Sequence, residues 1–218
     1  MEELDDFLVG NGVIKGTDQR RILIEVAIVH TSADMGNLGR YLQGDGAYSR
    51  LAEARWTEIQ QQVRALVVTW SEVRVYQDGL PDAEPEIVQK ILTEVQSANY
   101  DLLRWLVTQG SQVIGTESPL LMKEEYEHLQ SVLTAKDVAA QAEARQSYGA
   151  RAGALLAERD AYIARRIAET LPPGGIGLLF VGQAHCVSKH LPSDFMVWKI
   201  SCEPAELKPP KEPGAAAY

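Results

Sequence analysis

Residues 176–190 read Ile-Gly-Leu-Leu-Phe-Val-Gly-Gln-Ala-His-Cys-Val-Ser-Lys-His. Five of the first seven are large and apolar, which predicts a buried strand ending at Val181. Gly182 then opens a sharp turn, His185 follows three residues later, and a short helix stops at Leu191-Pro192. An imidazole delivered at the carboxyl end of a buried strand stands where open α/β sheets place ligands and chemistry.

Upstream, Pro172-Pro173-Gly174-Gly175 closes a long helical pattern from Lys136 to Leu171, alanine-rich at first and expected to bend at Gly149 and Gly153. Its arc Leu155, Leu156, Tyr162, Ile163, Ile167 and Leu171 predicts one buried face. Arg159 falls in the middle of that arc and Asp160 near its edge. A charge on a buried face needs a partner. Arg159 is therefore expected either to meet a carboxylate of the crevice or sheet edge, or to snorkel and pair locally with Asp160 or Glu158. Downstream, Phe195–Ile200 predicts a fifth strand.

The rest of the chain alternates in the same way. Arg21–His30 is a nearly continuous, β-branched strand interrupted by Glu25, and a polar loop carrying Asp34 leads into a short helix that breaks at Gly44-Asp45-Gly46. Ala52, Trp56, Ile59, Val63, Leu66, Val67 and Trp70 share one helical face. Val73–Tyr76 is the second strand, ending in the turn Gln77-Asp78-Gly79-Leu80-Pro81. A single helix is expected from Pro85 to about Gln109, burying Ile87, Ile91, Val95, Ala98, Leu102 and Leu106, with the Asn99 amide pointing inward and Gly110 as C-cap. Gln112–Gly115 is the third strand and Leu120–Leu133 a helix. This alternation predicts an α/β fold: a mostly parallel central sheet of about five strands with helices on both faces, in three layers. The expected organisation is an extended lead-in over 1–20, holding an edge strand at Phe7-Leu8-Val9, one domain over 21–202, and a disordered Pro/Ala-rich tail over 203–218.

A net charge of -9 argues against nucleic acid or an anionic membrane as partner, and no apolar run approaches the length of a membrane span. The acidic amino terminus does not resemble a secretory leader, so a cytoplasmic protein is expected. Two cysteines form no disulfide framework, and neither a Gly-x-Ser-x-Gly elbow nor a phosphate-binding glycine loop is present.

Right-handed crossovers bring the carboxyl ends of parallel strands to one edge. His30 with Asp34, then Asp78, Glu117 and His185, leave successive strands there and are expected to converge in one crevice. The joint placement carries the reading, because each alone has an ordinary structural use, such as Asp-Gly in a turn or Glu117 in the first turn of a helix. A carboxylate-held imidazole can take a proton from water. Two histidines and a carboxylate (His30, His185, Asp78) would equally suit one divalent ion, Zn, Mn or Fe.

Gly182-Gln183-Ala184-His185 after a strand, preceded by Glu158-Arg159-Asp160-Ala161-Tyr162-Ile163-Ala164-Arg165-Arg166-Ile167, resembles the carboxyl-terminal half of the TraB/Tiki superfamily, with its erythromycin-esterase-like and ChaN-like members. The early motif of that group is a strand ending in Gly-x-x-His or Gly-Glu-x-His; here it reads Ala27-Ile28-Val29-His30, without the glycine or the glutamate. The resemblance implies hydrolysis of an ester or amide bond, in some members with a divalent metal, and in ChaN-like relatives a haem- or metal-binding role. Carried over, His30 and His185 would be base or ligands, Asp78 or Glu117 the carboxylate partner, and Arg159 the group that orients it or neutralises an oxyanion. Asp34, Asn99, Asp160 and Gln183 are expected to contact a small-molecule or peptide substrate. Two further readings are carried: a non-catalytic ligand- or metal-binding module, and a protein that self-associates as a homo-oligomer.

Overall fold

The computed structural model describes residues 20–31, 33, 34 and 46–200. Most of the lead-in, the short helix after His30 and the tail therefore lie outside the described residues. Strands β1 (Arg21–Ile28), β2 (Val73–Pro81), β3 (Gln112–Glu117), β4 (Ile176–Gly182) and β5 (Phe195–Ile200) form one sheet in the order β3-β2-β4-β1-β5. Every pairing is parallel. Among the described residues the helices are α1 (Gly46–Ala65), α2 (Pro85–Glu94), α3 (Ala98–Thr108), α4 (Pro119–Leu133) and α5 (Val138–Thr170), with 3₁₀ turns at Trp70–Glu72 and Val187–His190.

The period-2 alternation of each strand divides the core in two. Ile22, Ile24, Val26, Val75, Leu178 and Phe180 point to one face, where Trp56, Ile59 and Val63 of α1, Val88 and Leu92 of α2 and Leu102, Leu103 and Leu106 of α3 cover them. Leu23, Tyr76, Leu179 and Val181 point to the other, under Ile163, Ala164, Ile167 and Leu171 at the end of α5. This is the three-layer α/β arrangement that the alternation predicts.

Several element readings change: β2 runs through the expected turn to Pro81 and β3 runs to Glu117. The helix expected over 85–109 is two helices, because Val95 adopts an extended backbone and the Ser97 side chain caps α3 by accepting from the Tyr100 N–H at 3.3 Å. Arg104 donates to the Leu92 and Val95 carbonyls, satisfying the end of α2. The break shifts the helical phase, so Val88 and Leu92 face the core and Ile87 is 49% exposed. Along α1 and just past it, Ala52, Trp56, Ile59, Val63 and Leu66 are buried as expected, but the helix ends at Ala65, leaving Val67 exposed and Trp70 in the 3₁₀ turn. The long helix α5 runs unbroken through Gly149 and Gly153, and Gly110 takes a positive φ of 97° after α3, as a C-cap glycine does.

Strand order positions the crevice. The path from β1 leaves over the α1 face, whereas the path from β4 stays on the α5 face, and β1 and β4 are neighbours. Loops departing to opposite faces open a cleft between the carboxyl ends of adjacent strands.

Candidate functional site

A bulge in β2 builds the centre of the site. Gln77 pairs with Gly115 and Pro81 with Glu117, so Asp78, Gly79 and Leu80 stand opposite a single residue of β3. Gly79 takes a φ of 76°, a conformation that favours glycine. Gly115 has no room for a side chain, since a Cβ there would lie 1.9 Å from the Pro81 carbonyl oxygen. The bulge turns Asp78 inward, 5% exposed.

Four groups then converge on the Asp78 carboxylate. Oδ1 accepts from Arg159 Nη2 at 2.9 Å, and Oδ2 accepts from the Gly182 N–H at 3.1 Å. Oδ2 also lies 3.3 Å from His30 Nε2 and 3.4 Å from His185 Nε2. A Cβ on Gly182 would sit 3.2 Å from His30 Nε2 and 3.4 Å from Asp78 Oδ2, so glycine there is what lets the imidazole and carboxylate meet. Behind His185, Asp160 on α5 receives Nδ1 at 2.5 Å and the Cys186 N–H at 2.7 Å. The result is a relay Asp160–His185–Asp78–His30 in which acid and imidazole alternate.

Arg159 ties the relay to the rest of the fold. It donates to both Glu117 oxygens, with Nε at 3.2 Å from Oε2, and to Glu125 on α4 as well as to Asp78. At 7% exposure it meets the crevice carboxylates, and Asp160, its neighbour in sequence, serves His185 instead. Glu125 escaped the sequence reading. Nothing in its local pattern marks it, since its partner Arg159 lies on another helix.

The loop after β1 is pinned from three directions. Trp56 Nε1 donates to the Val29 carbonyl at 3.0 Å, Asp34 accepts from Thr31 N and Oγ1 at 2.8 and 2.7 Å, and Ser97 Oγ donates to Asp34 at 2.6 Å. Asp34 thus fastens the loop bearing His30 to the cap of α3. Gln183 is an exposed loop residue beside Gly182. Asn99 is 1% exposed, inward as expected, and neither end of its amide has a hydrogen-bonding partner.

The electrostatics separate the two histidines. Burial would lower the His185 pKa, but hydrogen bonds to Asp160 and Asp78 and the charge of Asp78 outweigh it and carry it to about 10. His185 is therefore a fixed imidazolium at neutral pH. Burial pulls His30 the same way; Asp78, with help from Asp34, leaves it above its ordinary value, and its side chain is 31% exposed. Burial would raise Asp78, yet the two histidines hold it well below the usual carboxylate range. Burial and the Asp78 charge push Glu117 up to about 7 in spite of Arg159.

Asp78, Glu117 and His185 each offer one ligand atom within 4.8 Å of the others, a spacing that a single metal ion could bridge. The donors are already engaged, however. Both Glu117 oxygens and Asp78 Oδ1 face the Arg159 guanidinium, and both His185 nitrogens face carboxylates. A divalent cation would have to displace a buried arginine and deprotonate an imidazolium, so the residues as arranged do not fit a metal.

No helix among the described residues is long and apolar enough to cross a membrane. Comparison with protein-family models, with curated proteins and with solved structures finds no match to this chain.

Proposed function

We propose that the crevice is a metal-independent acid–base site that hydrolyses an ester or amide bond, with His30 as the proton-transferring group. The observation that carries the reading is the contact of a part-exposed imidazole, His30, with a carboxylate kept anionic by Arg159, His185 and the Gly182 N–H. As water attacks the carbonyl carbon, His30 takes its proton. As the C–O or C–N bond breaks, His30 returns that proton to the leaving oxygen or nitrogen. Asp78 stabilises the imidazolium formed in between, while His185 and Arg159 keep Asp78 in place and ionised. The resemblance to the TraB/Tiki superfamily points to the same bond classes, on a small-molecule or peptide substrate.

The test is hydrolysis of p-nitrophenyl acetate and an aminoacyl p-nitroanilide by chelator-treated protein, beside His30→Ala. Turnover that survives chelation and disappears in folded His30→Ala supports the proposal. Turnover that needs added zinc would restore the metal reading. Ligand binding without turnover would make the chain a binding module.

A further inference from the structure

Beside the relay, on the α5 face of the sheet, a cleft of about 140 Å³ opens between β1, β4 and β5. Its floor carries a charged pair that the relay does not use. Glu25 of β1 and Lys199 of β5 are register partners, and Lys199 Nζ lies 2.8 Å from Glu25 Oε1. A cross-strand ion pair on an exposed sheet face would be ordinary. This one is not exposed: Glu25 is 7% accessible, and its second oxygen, Oε2, has no hydrogen-bonding partner. Lys199 is 44% exposed, and its ammonium has three N–H donors, one of them turned to Glu25. The site therefore holds a carboxylate with one oxygen buried and unsatisfied beside a donor with capacity left over. The rest of the lining is Ala27, Val181 and Ile200 together with the exposed Gln183, and His185 and Gly182 form the edge shared with the relay.

We propose that this cleft binds an α-amino-acid group, free or as the carboxyl-terminal residue of a peptide, its N–H donating to Glu25 and its carboxylate accepting from Lys199. The last torsion of a glutamate is broad, so a partial rotation lets a ligand N–H share the Glu25 carboxylate with Lys199. The volume equals that of roughly four or five liquid waters, enough for a residue with a small side chain. Charge agrees: a free amino acid is a zwitterion that keeps the sum at zero, and the single negative charge of a peptide end faces Lys199 with the His185 imidazolium at the shared edge. Gly182 borders both the cleft and His30. In position the inference rests on the hydrolytic reading, because an occupant here lies next to the reacting group, but binding itself does not require His30.

The experiment is a two-dimensional amide NMR titration of the full chain with alanine, N-acetylalanine, alaninamide and propionate. Alanine or N-acetylalanine is expected to shift the amides of Glu25, Ala27, Gly182 and Lys199, and the tighter of the two tells a free amino acid from a peptide end. Alaninamide lacks the carboxylate and propionate the N–H; both are expected to leave these signals unmoved at the same concentrations. Glu25→Gln and Lys199→Met should each weaken binding at least about tenfold, the loss of one charge-assisted contact. Should Glu25→Gln disturb folding, Lys199→Met at its half-exposed position carries the same test. Propionate binding as well as alanine, unchanged affinity in both variants, or no shift with any probe would overturn the inference. His30→Ala is expected to keep binding and lose hydrolysis, so failure of this site and failure of the hydrolytic reading give different results.

Discussion

Replacing Arg159 by leucine should destabilise the protein in a way that depends on pH. The Arg159 side chain is 8% exposed, and its guanidinium contacts Asp78, Glu117 and Glu125. Its loss leaves Asp78 with His185, His30 and the Gly182 N–H, but takes from Glu117, which is 0% exposed, both guanidinium hydrogen bonds. Above its pKa of about 7, Glu117 is an ionised carboxylate. Breaking a buried pair then costs about 3–5 kcal/mol. At about pH 5.5 Glu117 is already the neutral acid, and the loss reduces to hydrogen bonds worth about 2 kcal/mol together. The sign follows from linkage. A carboxyl whose folded pKa is raised from 4.5 to about 7 contributes stability that is full below 4.5 and lost as pH rises through 7. Without Arg159 that pKa rises further, so the variant keeps losing stability where the wild type has levelled off. Urea unfolding followed by tryptophan fluorescence, with Trp56 and Trp198 buried as reporters, measures it. Adding Glu117→Gln to Arg159→Leu should recover much of the loss near pH 8 and little near pH 5.5. A penalty below about 1 kcal/mol, or one equal at both pH values, would refute the electrostatic account of the cluster.

Gly182→Ala should fold yet separate His30 from Asp78, because its Cβ would lie 3.2 Å from one and 3.4 Å from the other. Hydrolysis should fall by up to about a hundredfold, with the His30 pKa from NMR moving down toward its ordinary value. Gly115→Ala drives a Cβ to 1.9 Å from a carbonyl oxygen and should lower stability by about 3 kcal/mol or more, seen as a large drop in Tm. Asp160→Asn should bring the His185 pKa down from about 10. The wild-type contribution of His185 is full below 6.5 and lost as pH rises through about 10, so the variant's stability should fall less steeply over that window.

Much of this was legible in the sequence because it depends on local pattern. The strand 176–182, its glycine and His185 could be read from hydrophobicity and one turn residue, and the 100° spacing of α5 placed Arg159 and Asp160 on a buried face. Less legible were features made by the tertiary fold. Asp-Gly at 78–79 has the composition of a tight turn, yet β2 continues to Pro81, because Gly115 on the neighbouring strand makes room for a bulge. The separation of α2 from α3 turned on one serine hydroxyl competing with helical continuation. Glu125 and the pairing of Glu25 with Lys199 depend on contacts across elements, about which spacing along the chain says nothing.

The same cluster explains why two histidines that look equivalent in sequence have different chemistry. His185 has a carboxylate on each ring nitrogen and a side chain 6% exposed, so its proton is held on both sides and it behaves as a buried cation. A group in that state is a poor base, but its charge keeps Asp78 ionised. His30 meets the same Asp78 with its side chain 31% exposed, so a change in its protonation can be felt by a bound molecule. The carboxylate between them is what divides the work: it is anchored by the inner imidazolium and by Arg159, and it in turn raises the proton affinity of the outer imidazole. Substituting the inner histidine should therefore weaken the fold and the outer one the chemistry.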